Sequence, residues 1–126
     1  MRIATSLLTV LILAVFAFLA VRGILSPQPA SGRFGVSAVS TDGVFFFRVY
    51  LARNLVVTAA AAVFLILRLW KPLAILMSAA TALPLFDIAL LLFELGPRVP
   101  WPFHLASACI IALLAALLWI RVRLER

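Results

Sequence analysis

Long apolar stretches alternate along this chain with short clusters of charged, proline-rich and glycine-rich positions. Ile3–Val21 and Trp101–Ile120 each run without a Lys, Arg, Asp or Glu. Each matches the roughly 20 residues that a helix needs to cross a bilayer. The middle of the chain is less simple. The uncharged run after Arg53, Asn54–Leu67, and the run before Asp87, Pro72–Phe86, each fall about five residues short of that length. Neither can span alone. Extending them back to Val44 and forward to Leu95 gives sufficient length, and brings Arg48 and Arg53 into one span and Asp87 and Glu94 into the other. The pattern predicts four helical spans over 3–21, 44–67, 72–95 and 101–120 in one transmembrane domain, 1–126. The fold class is all-α, an integral membrane four-helix bundle with both termini on the same side.

The punctuation agrees with these boundaries. Arg68-Leu-Trp-Lys71-Pro72 makes a tight turn, so the second and third spans are expected as antiparallel neighbours. Thr41 or Asp42 can cap the second helix. The run from Gly96 to Pro102 ends the third helix and opens the fourth, because proline is tolerated in a first turn. Gly23–Gly43 is the one long connection, either a flexible loop or a segment folded back over the bundle mouth. The first span is read as a retained helix rather than a signal peptide, whose apolar core is shorter, about 7–15 residues. Trp70, Trp101 and Trp119 fall at span ends, as an interfacial aromatic belt requires. The side holding the termini carries Arg2, Arg68, Lys71, Arg121, Arg123 and Arg126 against Glu125. The opposite side carries Arg22, Arg33 and Arg98 with Asp42 and Glu94. This bias places both termini in the cytoplasm of a multi-pass cell-membrane protein.

Composition adds three exclusions. At 67% hydrophobic with mean hydropathy +1.26 the chain is too apolar for a soluble domain, which is about 45–50% apolar. The net charge of +7 comes from basic residues scattered over helix ends and loops. That suits anchoring to anionic headgroups and not nucleic acid, whose footprint is a clustered basic stripe. The lone cysteine, Cys109, excludes an internal disulfide and is read as a small packing residue. Ala108, Ala112 and Ala116, and likewise Thr58 and Ala62, recur one helical turn apart and mark expected helix contacts.

Intramembrane charges cost about 2.5–3.5 kcal/mol each on insertion scales, so they are normally paired or functional. Counted from Trp70, Arg53 lies as far before the turn as Asp87 lies after it. At about 1.5 Å per residue both stand roughly 25 Å up their helices, so they should meet if their faces agree. Arg48 falls at the depth of Leu92, near Glu94. Asp87 and Glu94, two turns apart, share a helical face. His104 enters on the side of Glu94, and Tyr50 lies one turn from Asn54 on one face. Arg48, Arg53, Asn54, Asp87, Glu94 and His104 are therefore the ligand or polar-network candidates, gathered in the half of the bundle away from the termini. The other half is expected to hold only aliphatic packing. For Arg48 the plainer reading is a side chain snorkelling to the interface; for Glu94, an interfacial charge; for His104, a hydrogen-bonded interfacial histidine or a proton carrier. For Arg53 and Asp87, a structural ion pair competes with a binding site. No protease, hydrolase or phosphate-loop motif is present, and no spacing indicates a metal or other cofactor.

These positions also carry a resemblance. Arg22-Gly23 and Arg33-Phe34-Gly35, then Arg53-Asn54, Pro84-Leu-Phe-Asp87 and His104, resemble the signatures of the small bacterial membrane proteins grouped as domain-of-unknown-function family 4267. The resemblance covers about residues 20–110 and implies four helices in matching order, with no known activity. Two positions depart from it. Members often carry Asp where this chain has Asn54, which makes Asp87 the expected partner of Arg53. Members often carry Gly where it has Phe86, which is expected to place bulk beside Asp87.

Three functions are compatible with the sequence. The first is a small membrane protein whose outward-facing polar site binds a small or lipid-like ligand. The second is a membrane isomerase or cyclase in which Asp87 or Glu94 moves a proton. The third is a structural or accessory subunit whose polar network fixes packing. Transport through one copy is disfavoured, because four short helices would have to homo-oligomerise to form a gated path and no inverted repeat is evident.

Overall fold

The computed structural model describes residues 2–125, apart from the side chain of Arg2; Arg126, counted above with the basic residues of the termini side, lies outside the described residues, as does that side chain. Six helices follow in order: α1 Arg2–Leu25, α2 Pro27–Phe34, α3 Thr41–Ile66, α4 Trp70–Ala80, α5 Ala82–Leu95 and α6 Trp101–Leu124. The described residues contain no strand. Helices α1, α3, the α4–α5 run and α6 are each long and apolar enough to cross a membrane. The chain is an all-α integral membrane bundle.

Local chemistry sets most of the helix ends. Ser40, not Thr41 or Asp42, caps α3: its Oγ accepts from the Gly43 N–H at 3.0 Å. Asp42 instead occupies the first turn, where its charge suits the helix dipole. At the far end of α3 the Leu69 N–H donates to Phe64 O and the Arg68 N–H to Leu65 O, a Schellman closure. It holds Arg68 at φ 56°, a left-handed conformation usually taken by glycine. The third span is broken in two at Thr81. Pro84 has no N–H to offer Ala80 O, and its ring crowds that same carbonyl, so the ladder parts one turn earlier. Thr81 keeps both its N–H and its Oγ on Met77 O, at 3.1 and 3.0 Å.

The break changes the expected packing. α3 packs on α1 and on α4, but has little contact with α5, which packs on α6. The two middle spans are therefore neighbours near their turn and separate beyond Thr81. The connection after α1 is not a free loop. Its centre forms α2, where Ser31 is buried, donating to Gln28 O and accepting from the Ala38 N–H at 2.8 Å. Gly35 ends α2 at φ 121° and lies against Pro100 and Leu91, so the segment closes over the end of the bundle.

The half nearer the termini holds the dry core. Leu73, Leu114 and Leu118 are fully buried there, together with Ala61, Ala74 and Met77. Small residues let the helices approach closely, but not along the expected stripe: Ala108 and Ala115 of α6 are buried, whereas Ala112 and Ala116 are exposed. A period nearer seven than four faces the neighbours. Cys109 is exposed on α6, so it is not a core packing residue.

That half is also not purely aliphatic, contrary to expectation. Arg121 is buried. Its guanidinium lies 3.4 Å over the centre of the Trp70 ring, Nε donates to Glu125 at 3.0 Å and an Nη donates to Ser6 Oγ at 2.6 Å. The start of α1, the start of α4 and the end of α6 are thus tied together, which sets both chain ends on one face of the bundle. A stacked guanidinium is worth about 0.5–2 kcal/mol, and losing its hydrogen bonds adds a comparable amount. Arg121→Gln should therefore destabilise the fold by about 1–3 kcal/mol, measured as a lower unfolding midpoint in detergent. An unchanged midpoint would show that this cluster does not hold the helix ends.

Candidate functional site

Where α5 parts from α3, a cavity of about 270 Å³ opens, lined by residues of all six helices. Its walls are mainly apolar, including Leu13, Phe16, Leu51, Met77, Leu83 and Ile111. Its polar groups come from separate elements: Tyr50 and Asn54 from α3, Asp87 from α5 and His104 from α6, with Arg22 and Arg33 from the last turns of α1 and α2. Two features bring α1 and α3 together beside it. Gly23 is buried, and a Cβ there would stand 2.6 Å from Leu51 Cδ1, so only glycine admits this approach without displacement. Arg48 then reaches across and donates from Nε to Ile24 O at 3.0 Å, satisfying one of the carbonyls left open at the end of α1.

The centre of the polar group is Asp87. Its side chain is 18% exposed, and Oδ2 accepts from the Tyr50 hydroxyl at 3.2 Å. The same oxygen lies 3.8 Å from His104 Nδ1. His104 is buried, with Nε2 2.8 Å from Phe34 O. A carbonyl can only accept, so this contact assigns a proton to Nε2 and turns Nδ1 toward the carboxylate. One further proton, on Nδ1 or on Asp87, makes that contact attractive. The arrangement can therefore hold and pass a proton. Phe34 also packs edge-on against His104 and Tyr50, at ring-centre separations of 4.7 and 5.2 Å, so α2 fixes the whole group from above.

The structure thus brings Asp87, His104, Tyr50 and Asn54 to one cavity, and it sets the other candidates elsewhere. Arg53 is exposed on α3 and makes no ion pair with Asp87. Equal depth along a hairpin does not bring side chains together when the helices separate and the faces differ. Arg48 acts as the cap described above. Glu94 is exposed at the end of α5, one position before its last residue, and does not line the cavity. Phe86 is exposed at 66% and likewise is not part of the lining, so it does not crowd Asp87. The described residues contain no cluster able to hold a metal ion. In the sequence, Phe34, Arg22 and Arg33 stand out only through the family signatures and the charge count. Nothing in their spacing announced that α2 folds back onto the cavity.

Residues 14–118 match the family described as Domain of unknown function (DUF4267). The chain belongs to that family. The matched segment runs from within α1 to within α6, and it contains the polar side chains of the cavity. No curated protein and no solved structure matches this DUF4267 member.

A double-mutant cycle separates the two pairings of Asp87. Arg53→Gln and Asp87→Asn should combine with a coupling within about 0.5 kcal/mol of zero, as for sites that share no contact. Tyr50→Phe with Asp87→Asn should couple by about 0.5–3 kcal/mol. Unfolding in lipid nanodiscs supplies both numbers, and a strong Arg53–Asp87 coupling would contradict the geometry.

Proposed function

We propose that this protein binds an amphipathic molecule drawn from the bilayer. Its polar end would rest at Tyr50, Asp87 and His104, and its apolar part would lie along the walls of the cavity. The observation that carries this reading is the single polar corner in an otherwise apolar cavity, beside a gap between two helices that do not pack on each other. Ligand sites are typically apolar clefts of about 300–1,000 Å³ with a few convergent polar groups, and a cavity of 270 Å³ falls just below that range. A network serving only to fix packing would not require the adjoining space. Native mass spectrometry of the protein extracted in mild detergent tests the idea. The wild type should retain a bound amphiphile that Ser107→Phe, which fills the cavity from α6, excludes. Asp87→Asn should keep its fold and lose most of that ligand. Equal retention by all three proteins would sink the proposal.

The fixed tautomer of His104 favours a second reading, in which the same pair transfers a proton on the bound molecule. An enzyme would convert its ligand in the wild type and hold it unconverted in Asp87→Asn.

We further propose that the termini are cytoplasmic and that the polar end of the cavity faces outward. Support comes from the basic residues gathered at the termini end, Arg68, Lys71, Arg121 and Arg123 among them. In a Cys109→Ala background, Ser37→Cys, exposed after α2, should react with a membrane-impermeant maleimide on intact cells. Labelling only after lysis would reverse the orientation.

A further inference from the structure

The cavity carries more positive than negative charge, and this bears on what it holds. Arg22 and Arg33 both line it. The two ion pairs among the described residues are His104–Asp87 and Arg121–Glu125, so neither of these arginines is paired with a carboxylate there. Asp87 is the one acidic residue of the lining, and it already accepts from Tyr50 and faces His104. Each arginine sits in the last turn of its helix, where a cation is favoured whatever its function. That preference alone would let the two side chains spread into the headgroup region. The fold instead places both residues on the lining of one cavity. Gly23, next to Arg22, is locked against Leu51, and α2 is folded back with Phe34, next to Arg33, held against His104. Two arginines, both exposed and both on the lining of one mainly apolar cavity, form a complement to an anion that carries a chain.

We infer that the ligand is an anionic single-chain amphiphile, with a carboxylate or phosphate head received by Arg22 and Arg33 and its chain in the cavity. The inference rests on the binding function proposed above and adds the charge and size of the ligand. A cavity of 270 Å³ is small for a ligand site and suits one chain of medium length. Tyr50 and Asn54 supply further hydrogen-bonding groups to the same head.

The test uses the full chain in phosphatidylcholine nanodiscs, with empty nanodiscs as the reference. The probes are decanoate, decyl phosphate, decanol, decyltrimethylammonium and inorganic phosphate, and binding is read by calorimetry. Decanoate and decyl phosphate should bind, and decyltrimethylammonium should bind at least tenfold more weakly. Arg22→Gln and Arg33→Gln should each weaken the anionic probes by roughly tenfold, while Arg22→Lys and Arg33→Lys, which keep the charge, recover most of the loss. If all four ten-carbon probes bind alike and the arginine variants change nothing, the anionic assignment is overturned while the cavity function stands. If no ten-carbon probe binds to a protein that melts normally, the cavity function itself fails. If inorganic phosphate alone competes as strongly as decyl phosphate, the site takes a free anion and the single-chain assignment is overturned.

Discussion

The architecture depends on one missing hydrogen bond. Pro84 cannot donate to Ala80 O, and its ring presses on that carbonyl, so the third membrane span parts at Thr81. Before the break, α4 packs against both α3 and α6 and contributes Leu73, Ala74 and Met77 to the dry core. Beyond it, α5 remains on α6 and leaves α3. The cavity begins where the helices separate: Ala80, Leu83, Pro84 and Asp87 are its wall on that side. A straight third span packed on α3 throughout would fill this volume with side chains, and Asp87 would meet α3 directly. Because the helices separate, Asp87 instead needs the length of a tyrosine to be reached from α3, and that is the residue the chain places there.

The separation has a cost that other contacts offset. Two helices that part within a membrane lose close packing, which is the main attraction between helices in lipid. The bundle is closed at both ends instead. At the termini, Arg121 stacks on Trp70 and bonds to Ser6 and Glu125. At the other end α2 acts as the closure: Ser31 holds its own turn together, Phe34 O accepts a hydrogen bond from His104 Nε2, and Gly35 brings the backbone against Pro100 and Leu91. The open region lies between two fixed ends. A cavity in that position can be retained without the helices collapsing into it.

Much of this was legible in the residues, and the part that was not has a definite physical character. Span positions follow from the lengths of uncharged runs, and the structure has helices over each of them. Arg53 and Asp87 stand out in the sequence as charges too deep in apolar surroundings for easy escape, and His104 as an interfacial candidate; of these, Asp87 and His104 lie together. What hydropathy does not encode is azimuth. Arg53 and Asp87 share a depth, yet successive residues turn by about 100° around a helix, and Arg53 lies on an exposed side of α3 while Tyr50 and Asn54 line the cavity. The α2 segment was ambiguous for a different reason. Its composition reads as a linker, and its order comes from packing on α1 and α3 and from single contacts, such as Phe34 O with His104, to residues distant in sequence.

Arg53 and Arg121 show how far local context decides the fate of one residue type. Both adjoin apolar runs, and by sequence Arg53 was the buried charge and Arg121 the ordinary end-of-helix cation. In the fold Arg121 is enclosed, with an aromatic face, a carboxylate and a hydroxyl around it. Arg53, midway along α3, has no ion-pair partner among the described residues. A cation at that depth facing lipid is accommodated by snorkelling, local thinning of the bilayer and penetrating water. The enclosed arginine therefore contributes to holding the helices together, whereas the exposed one contributes little to their packing and makes its demand on the membrane. Polarity inside a span is thus not by itself a mark of a site. The mark is convergence: Tyr50, Asp87 and His104 come from three helices to one oxygen atom beside open space, and that property separates them from Arg53, which shares the depth of Asp87 but stands alone.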